Sequence, residues 1–309
     1  MLNNKYIDKI ELIIRNVLDI PSGANLFISF LGGMTNKNYL VTITDVVEKK
    51  DEYVVRIPGA MTDNLISRST EAINSKIASD FKFNVDTYYF NELTGVKVTK
   101  YLRNSQTLDH ESIKNIDKLK NIALSLKKVH ESNMNFEGEF NVFNKFDDYF
   151  NLLKNKDNFF NFHPSTHKLL QFFFKIKDFF KKKSPRLVPC HNDLVPENIL
   201  LKDKIYFIDW EYSGMNDLFF DLAAFLLESR VNSDLETVFL QTYFDKKDIS
   251  YERQIIKLYQ FTQDFLWTLW TVIKQENNEV FEGYGEKRIQ SAISIMKELE
   301  YMGFFARVK

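Results

Sequence analysis

The stretch VPCHNDLVPENILL, residues 188–201, places three polar side chains between apolar ends. His191, Asp193 and Asn198 follow the pattern H-x-D-x-x-x-x-N, a spacing used by loops that carry out phosphoryl transfer. The aspartate can orient an attacking hydroxyl group and take its proton, and the asparagine can offer an amide oxygen to Mg²⁺. The histidine is expected to brace the loop. Phosphoryl transfer is therefore favoured, although a turn that bonds its own backbone uses the same residue types.

A further acidic residue, Asp209, ends the strand-like run KIYFID that follows this loop. A carboxylate at the end of a strand beside the loop is well placed to hold Mg²⁺ against nucleotide phosphates. A second strand-like piece, NILL, comes directly after the loop. The loop, the two strands and Asp209 together predict an ATP-dependent phosphotransferase with Mg²⁺ bound by Asn198 and Asp209.

The elements that must position these residues fall into a β-rich first part and a helical second part. Apolar residues at helical spacing predict a helix over 5–18, and NLFISFL, NYLVTIT and EYVVRIP predict strands. A helix is predicted over 64–82, and two more strands within 84–101. Helical patterns dominate from about residue 110, apart from the loop region.

This order of elements predicts an α+β fold of the two-lobed, protein-kinase-like type. A small β-rich N-terminal lobe that binds the nucleotide is expected over residues 1–102. A larger, mainly helical lobe with the catalytic loop and the substrate pocket is expected over residues 103–309.

Composition excludes several classes of protein. Of 309 residues 44% are hydrophobic and 27% charged, which is typical of a globular protein, and the formal net charge of −1 gives no basic field for nucleic acid. No apolar run approaches the roughly 20 residues of a membrane span, and the first residues resemble no signal peptide, so we expect no membrane insertion and a cytoplasmic location. The single cysteine, Cys190, fits a reducing compartment, and we expect it to fill space at a strand end rather than to react.

The segments HNDLVPENIL and FIDWEYSGMNDLFFDLAAFLLE resemble the choline/ethanolamine kinases, within the wider group that includes aminoglycoside phosphotransferases. DWEY, residues 209–212, stands where choline kinases have Asp-Phe-Glu-Tyr and protein kinases have Asp-Phe-Gly. The resemblance runs from about Gly32 to Arg288. It implies an ATP:alcohol phosphotransferase most like a choline kinase, in which Asp221 braces the catalytic loop through backbone N–H groups.

The resemblance also implies a nucleotide site in the N-terminal lobe. LGGMTNKNYL is similar to the loop that covers the nucleotide, although paired glycines between strands are more often a hairpin turn. Arg56 occupies the position of the strand lysine of protein kinases with Glu71 as its expected partner; the alternative is a surface charge on a strand. The expected nucleotide-binding residues are Gly32, Gly33, Thr35, Asn36, Arg56, Glu71 and, by position at the hinge, Lys100 and Leu102.

Aromatic residues carry the prediction for the substrate. Trp267 and Trp270 are three apart on one face of a predicted helix, where tryptophans more often belong to the core. The resemblance implies that they wall a choline pocket together with Tyr212, Tyr284 and the acidic Glu228. Aromatic faces suit a trimethylammonium group, which cannot donate hydrogen bonds and binds by cation–π attraction.

Three alternatives to a choline kinase stay open. Ethanolamine differs by three methyl groups, and the sequence does not decide between the two amines. An aminoglycoside kinase would need a site rich in carboxylates. A kinase-like binding module would normally lack a base or a metal ligand, whereas Asp193, Asn198 and Asp209 are all present.

Overall fold

The computed structural model describes residues 4–33, 35–44, 50–59 and 65–307. The described residues form two compact units. The first unit draws on 1–109, 133–138 and 197–213, and the second on 110–132, 139–196 and 214–309. The chain thus crosses between the units several times, and the division at residues 102 and 103 stays a prediction.

The strands are short, and most lie in the first part of the chain. In chain order they are β1 (Asn25–Gly32), β2 (Lys37–Thr44), β3 (Lys50–Ile57), β4 (Thr87–Phe90), β5 (Lys97–Lys100), β6 (Gln106–Thr107), β7 (Leu187–Cys190), β8 (Ile199–Leu201), β9 (Ile205–Phe207) and β10 (Gly214–Asp217).

The helices dominate the second part of the chain. In chain order they are α1 (Asn4–Leu18), α2 (Arg68–Asp80), α3 (Ile116–His130), α4 (Val142–Leu152), α5 (Lys156–Phe160), α6 (Thr166–Lys183), α7 (Leu218–Ser229), α8 (Ser233–Phe244), α9 (Ser250–Glu276), α10 (Tyr284–Tyr301) and α11 (Phe304–Arg307). Short 3-10 helices occupy Ser112–Lys114 and Pro196–Asn198.

The first unit is built on an antiparallel sheet with the strand order β1-β2-β3-β5-β4. Alternating side chains put Val41, Val55 and Val98 in a core cluster with Ile10 and Ile14 of α1. The predicted first helix and the strands of this sheet are therefore confirmed. The helix expected over 64–82 begins at Arg68 and ends at Asp80, and its first predicted residue, Asn64, lies outside the described residues.

A smaller sheet of the same unit has the strand order β6-β8-β9, and its strands β8 and β9 adjoin the two predicted metal ligands. Strands β8 and β9 pair antiparallel, with Ile199 opposite Phe207. Asn198 therefore directly precedes β8, and Asp209 lies two residues after the end of β9.

The second unit is a helical assembly around α9, which packs along α4, α7 and α10. Its core is rich in phenylalanine: the rings of Phe146, Phe173 and Phe265 have centroid distances of 4.6, 5.4 and 5.6 Å. Strand β7 pairs antiparallel with β10 and delivers the chain to the catalytic loop. No helix in the described part of the chain is both long and apolar enough to cross a bilayer.

Candidate active site

The catalytic loop begins where β7 ends, and it is held by the carboxylate of Asp221 on α7. The backbone N–H of His191 donates to Asp221 Oδ2 at 2.8 Å, and that of Asn192 donates to Oδ1 at 2.6 Å. Asn192 has a φ of 66°, and its side-chain oxygen accepts from Asn216 Nδ2 of β10 at 2.8 Å. Asparagine tolerates this left-handed conformation better than most residues, so the tight turn before Asp193 is fixed on both sides.

His191 braces the loop from inside. Its side chain is buried, and its Nδ1 accepts the backbone N–H of Asp193 at 3.3 Å. The backbone N–H of Val195 in turn donates to the carbonyl oxygen of Asp193 at 3.1 Å. Asp193 itself is half-buried, and these bonds anchor its backbone. This geometry agrees with the bracing role predicted for His191.

Asn198 and Asp209 are brought together by the β8–β9 hairpin in the first unit. The backbone N–H of Ile208 donates to the carbonyl oxygen of Asn198 at 2.9 Å, which places the two expected metal ligands side by side. Asp209 has a φ of 64°, and its side chain is 28% exposed. A carboxylate and a side-chain amide offer hard oxygens of the kind that Mg²⁺ prefers, so these two residue types fit the predicted metal.

Arg56 of β3 is buried, which excludes the alternative of a surface charge. Its guanidinium forms a two-point ion pair with Glu71 of α2, with Nη1 at 2.5 Å from Oε1 and Nη2 at 2.9 Å from Oε2. The expected pairing of Arg56 with Glu71 is therefore present. Nη1 also lies 3.1 Å from Asp209 Oδ1 and Nη2 donates to the carbonyl oxygen of Gly95 at 3.0 Å, so one side chain links the sheet, helix α2 and the metal-binding candidate.

Sequence reasoning missed two further cations around Glu71. Arg68 Nη1 lies 2.8 Å from Glu71 Oε2, and Lys97 Nζ lies 3.2 Å from Oε1. Burial alone would raise the pKa of Glu71, but the charges of Lys97 and Arg56 outweigh it and lower the pKa to about 2. Burial lowers the pKa of Lys97, and the charge of Arg56 acts in the same direction. Three buried cations therefore converge on the single carboxylate of Glu71.

Glu211, the third residue of DWEY, was also missed as part of this cluster. Asn36 Nδ2 donates to Glu211 Oε2 at 2.8 Å, so the side chain of Asn36 is buried against an acid. Burial raises the pKa of Glu211 to about 7, and the neighbouring Asp209 acts in the same direction. Oxygens of Glu71, Asp209 and Glu211 lie within 4.8 Å of one another, an acidic centre enclosed by cations.

The paired glycines form the end of the β1–β2 hairpin. Gly33 has a φ of 125°, and a Cβ atom there would lie 1.9 Å from the carbonyl oxygen of Asn36. A Cβ atom on Gly59 would lie 2.0 Å from the carbonyl oxygen of Thr35. Glycine is thus required by close backbone approach as well as by conformation. The hairpin is present, and binding of a nucleotide by Gly32, Gly33, Thr35 and Asn36 stays a prediction.

The hinge residues have little that marks them out. Lys100 ends β5, and its exposed Nζ lies 3.9 Å from Asp86 Oδ2. Leu102 follows the strand and is half-buried, and the intervening Tyr101 N–H donates to the carbonyl oxygen of Glu52 at 3.1 Å. Contact of Lys100 and Leu102 with an adenine ring stays a prediction.

The predicted aromatic residues of the second unit gather at one end of α9. The Trp267 and Trp270 rings meet edge to face at a centroid distance of 6.3 Å, and the Trp270 and Tyr284 rings at 5.9 Å. Trp270 is 5% exposed and also packs on Phe281 at 4.9 Å, whereas Trp267 is half-buried. Trp270 is therefore mainly a core residue, and Trp267 offers the accessible surface. Tyr212 belongs to the first unit.

An arginine that the sequence did not single out, Arg288 of α10, joins the acids of this region. Its Nη2 lies 2.5 Å from Glu228 Oε1 and 2.9 Å from the Tyr284 hydroxyl oxygen, and its Nη1 lies 3.2 Å from Asp264 Oδ1. Burial raises the pKa of Asp264 to about 7. Burial also raises the pKa of Tyr284 to about 12, and the charge of Glu228 acts in the same direction.

Cys190 ends β7 and is fully buried, with its thiol donating to the carbonyl oxygen of Asn216 at 3.6 Å. Burial raises the pKa of this thiol well above its ordinary value, and the carboxylates of Asp221 and Asp217 act in the same direction. A protonated, inaccessible thiol is a poor nucleophile. The structure therefore supports the space-filling role expected for Cys190.

Comparison with known proteins gives consistent matches over most of the chain. The family model described as choline/ethanolamine kinase matches residues 27–293. The protein LicA of Haemophilus influenzae is 38% identical over 278 residues, which cover 88% of this chain and 80% of that protein.

Solved structures agree with the sequence matches. The crystal structure of choline kinase LicA from Streptococcus pneumoniae is 34% identical, has a TM-score of 0.81 and covers 94% of this chain and 99% of that chain. A structure of LicA in complex with AMP, also 34% identical, has a TM-score of 0.80 and covers 94% and 98% of the two chains. The predicted α+β, kinase-like fold is confirmed by these matches.

Proposed function

The chain belongs to the choline/ethanolamine kinase family, and we propose that it transfers the γ-phosphoryl group of ATP to the hydroxyl group of choline. It is thus a phosphotransferase with choline/ethanolamine kinase activity. We further propose that choline is the preferred substrate, that the metal is Mg²⁺, and that single residues have the roles given below.

The observation that carries the proposal is an anchored aspartate in the unit that also holds the aromatic cluster. The backbone on both sides of Asp193 is held by hydrogen bonds, and Trp267, Trp270 and Tyr284 form the cluster in the same unit. We propose that a cationic alcohol bound against these rings presents its hydroxyl group to the Asp193 carboxylate. Asp193 orients that hydroxyl group and accepts its proton as the bond to phosphorus forms, and positioning supplies most of the rate enhancement.

Residues of the first unit support a role in binding ATP. The LicA complex with AMP makes a nucleotide the expected ligand of this chain as well. Glu71 holds the guanidinium of Arg56 3.1 Å from Asp209, so Arg56 is the cation that we assign to the phosphates. Asn198 and Asp209 would hold Mg²⁺, which when bound supplies positive charge against the phosphates.

The charges around the aromatic cluster favour choline over ethanolamine. Glu228 is already paired with Arg288 at 2.5 Å, so it is a poor acceptor for the three N–H groups of a primary ammonium. A trimethylammonium group needs no acceptor and gains about 0.5–2 kcal/mol from each aromatic face that it contacts. The aromatic cluster also argues against an aminoglycoside substrate, because a polycation with many hydroxyl groups would need several unpaired carboxylates.

A substrate panel with release of ADP as readout tests the reaction. Choline should give the highest kcat/KM, ethanolamine a lower value, and aminoglycosides none. The Asp193→Asn variant should lose about 100- to 10,000-fold in kcat. The matched control is Asp178→Asn, at an exposed position of α6, which should leave kcat unchanged.

Two outcomes would contradict this proposal. Wild-type turnover in a folded Asp193→Asn variant would remove Asp193 as the base. Binding of ATP and amines with no release of ADP for any alcohol would instead identify a kinase-like binding module.

The half-buried Trp267 tests the amine preference. Trp267→Leu should raise KM for choline about tenfold, the equivalent of roughly 1.4 kcal/mol of lost cation–π attraction, and should change KM for ethanolamine less. Tyr301→Leu is the control, because Tyr301 is an aromatic residue that is 94% exposed at the end of α10. Equal effects of Trp267→Leu on both amines would contradict the aromatic wall as the source of selectivity.

A further inference from the structure

We infer that His130, the last residue of α3, is a positioning residue for phosphoryl transfer that acts on the catalytic loop through Asp221. His130 Nε2 lies 3.0 Å from Asp221 Oδ2, the oxygen that also accepts the backbone N–H of His191 at 2.8 Å. Both side chains are buried, His130 being 4% and Asp221 0% exposed. His130 is 91 residues away from Asp221 in sequence, so this link exists only in the folded chain.

The directions of the hydrogen bonds follow from the partners of the imidazole ring. On its other side, His130 Nδ1 lies 2.6 Å from the hydroxyl oxygen of Tyr243 on α8. A carboxylate can only accept, so Nε2 carries a proton and donates to Asp221. When the ring is neutral, the Tyr243 hydroxyl group donates to Nδ1. Tyr243 thus holds the ring in the orientation in which His130 binds Asp221.

Asp221 depends on these donors because it has no contact with water. Burial works to raise its pKa, but the hydrogen bond from His130, the largest opposing influence, and those from the loop backbone lower the pKa below its ordinary value. Without His130, Oδ2 would lose the side-chain N–H that donates to it, and the ionised, buried carboxylate would be destabilised. Protonation or rotation of Asp221 would then weaken its grip on the His191 and Asn192 N–H groups.

The loop is sensitive to such a change. Asn192 is held at a φ of 66° directly before Asp193, and its N–H is bound by Asp221 at 2.6 Å. A shift of about 1 Å in a catalytic group can cost about 100-fold in rate. The aromatic cluster and the Arg56–Glu71 pair do not include His130. We therefore expect kcat to fall while KM for choline and for ATP stays close to the wild-type value.

The same residues raise the question of a metal site, because ligand atoms of His130, Cys190 and Asp221 lie within 4.8 Å of one another. Three observations favour hydrogen bonding. Asp221 uses both oxygens for backbone N–H groups, His130 Nδ1 is occupied by Tyr243, and burial raises the pKa of the Cys190 thiol, which keeps it protonated. Metal ligation needs a thiolate.

The test compares His130→Ala with His130→Gln in the full chain, with kcat and KM measured separately. It rests on the proposed function, so wild-type ADP release with choline and its loss in Asp193→Asn are established first. His130→Ala should lower kcat about 30- to 100-fold with KM within about twofold of wild type. His130→Gln, whose amide N–H can donate to Asp221, should recover kcat to within about fivefold of wild type.

Chemical rescue sharpens the test. His130 and Tyr243 line a cavity of about 380 Å³ together with Val188 and Leu218. The cavity is large enough for added imidazole, which should therefore raise kcat of His130→Ala about fivefold or more by replacing the lost ring. Leu126→Ala, a fully buried position one turn earlier on α3, controls for lost packing and should lower the Tm without this effect on kcat.

Several results would overturn the inference. A wild-type kcat in folded His130→Ala would do so, and so would equal losses of kcat in His130→Ala and Leu126→Ala. A lack of recovery with both glutamine and imidazole would also contradict it. Finally, a chelator of transition metals that abolishes wild-type activity while Mg²⁺ is in excess would indicate a metal site instead. If His130→Ala does not fold, Tyr243→Phe takes its place, because it keeps the ring and removes only the hydroxyl group. It should lower kcat about three- to tenfold at unchanged KM, and an unchanged kcat would refute the role of the Tyr243–His130–Asp221 chain.

Discussion

The buried Asp264 of α9 should make the stability of this protein depend on pH. It is fully buried, and burial raises its pKa from 3.8 to about 7, although Arg288 Nη1 at 3.2 Å works in the opposite direction. The informative substitution is Asp264→Asn. Asparagine has nearly the same shape and keeps a carbonyl oxygen that can accept from Arg288, but it carries no charge. Arg288 retains Glu228 as its charged partner.

The sign follows from the direction of the shift. The folded protein binds the Asp264 proton more tightly than the unfolded chain does, so this group stabilises the fold fully below the unfolded pKa and loses that contribution as pH rises through about 7. The loss is about 1.4 kcal/mol per pH unit, and from about pH 5.5 to pH 7 it amounts to about 2 kcal/mol. The asparagine variant does not have this loss. Glu211, whose pKa is also raised to about 7, is present in both proteins and cancels in the comparison.

Thermal unfolding of both proteins at about pH 5.5 and about pH 8.5 measures the effect. Between the two conditions, the free energy of unfolding of Asp264→Asn should rise by about 2 kcal/mol relative to that of the wild type. This corresponds to about 3 °C in Tm for a chain of this size. Asp178→Asn should show no such dependence, because Asp178 is exposed on α6. A Tm difference between Asp264→Asn and wild type that is constant with pH, or that favours the variant at the lower pH, would refute the assignment of a raised pKa to Asp264.

Two further predictions concern the first unit and the cysteine. Arg56→Lys should raise KM for ATP about tenfold or more and lower the Tm, because a single ammonium cannot form the two-point pair with Glu71. The control Arg103→Lys, at an exposed ion pair, should change neither KM nor Tm. Equal behaviour of the two variants in kinetics and thermal unfolding would contradict this prediction. Because Cys190 is fully buried, it should resist iodoacetamide in the folded protein and react once the chain is unfolded in denaturant. Mass spectrometry measures the labelling. Rapid labelling of the native protein with loss of activity would contradict this prediction.

The parts of the site that the sequence predicted are those whose geometry is local. His191, Asp193 and Asn198 lie within eight residues, so their spacing alone indicates one loop. The strand patterns around that loop put Asp209 at the end of β9, where it is found next to Asn198. The pairing of Arg56 with Glu71 spans only one strand and the helix that follows, and the resemblance to a family supplied the partner.

The parts that it did not predict depend on contacts distant along the chain. Lys97 and Arg68 have the pattern of ordinary charged residues, and their burial around Glu71 follows only from how α2 packs on the sheet. Arg288 stands in a charged stretch of a helical pattern, GEKRIQ, that is typical of an exposed face. His130 ends α3 after two lysines, where a cation is expected for interaction with the helix dipole. In each case the sequence shows the charged or polar residue, but it does not show the distant partner that binds this residue in the folded protein.

Helix α7 connects the loop that the sequence predicted with the ion pair that it did not predict. Asp221 in its first turn holds the catalytic loop, and Glu228 near its end pairs with Arg288 beside the aromatic cluster. The two acids are seven residues apart, so they project from nearly the same face of the helix about 10 Å apart along its axis. The residues between them, 222–226, are buried in the core of the second unit. Because a packed helix moves as a rigid element, the length of α7 sets the distance between the loop that carries Asp193, the proposed base, and the Glu228–Arg288 pair. This is a physical reason for an apolar run between two acids in this sequence.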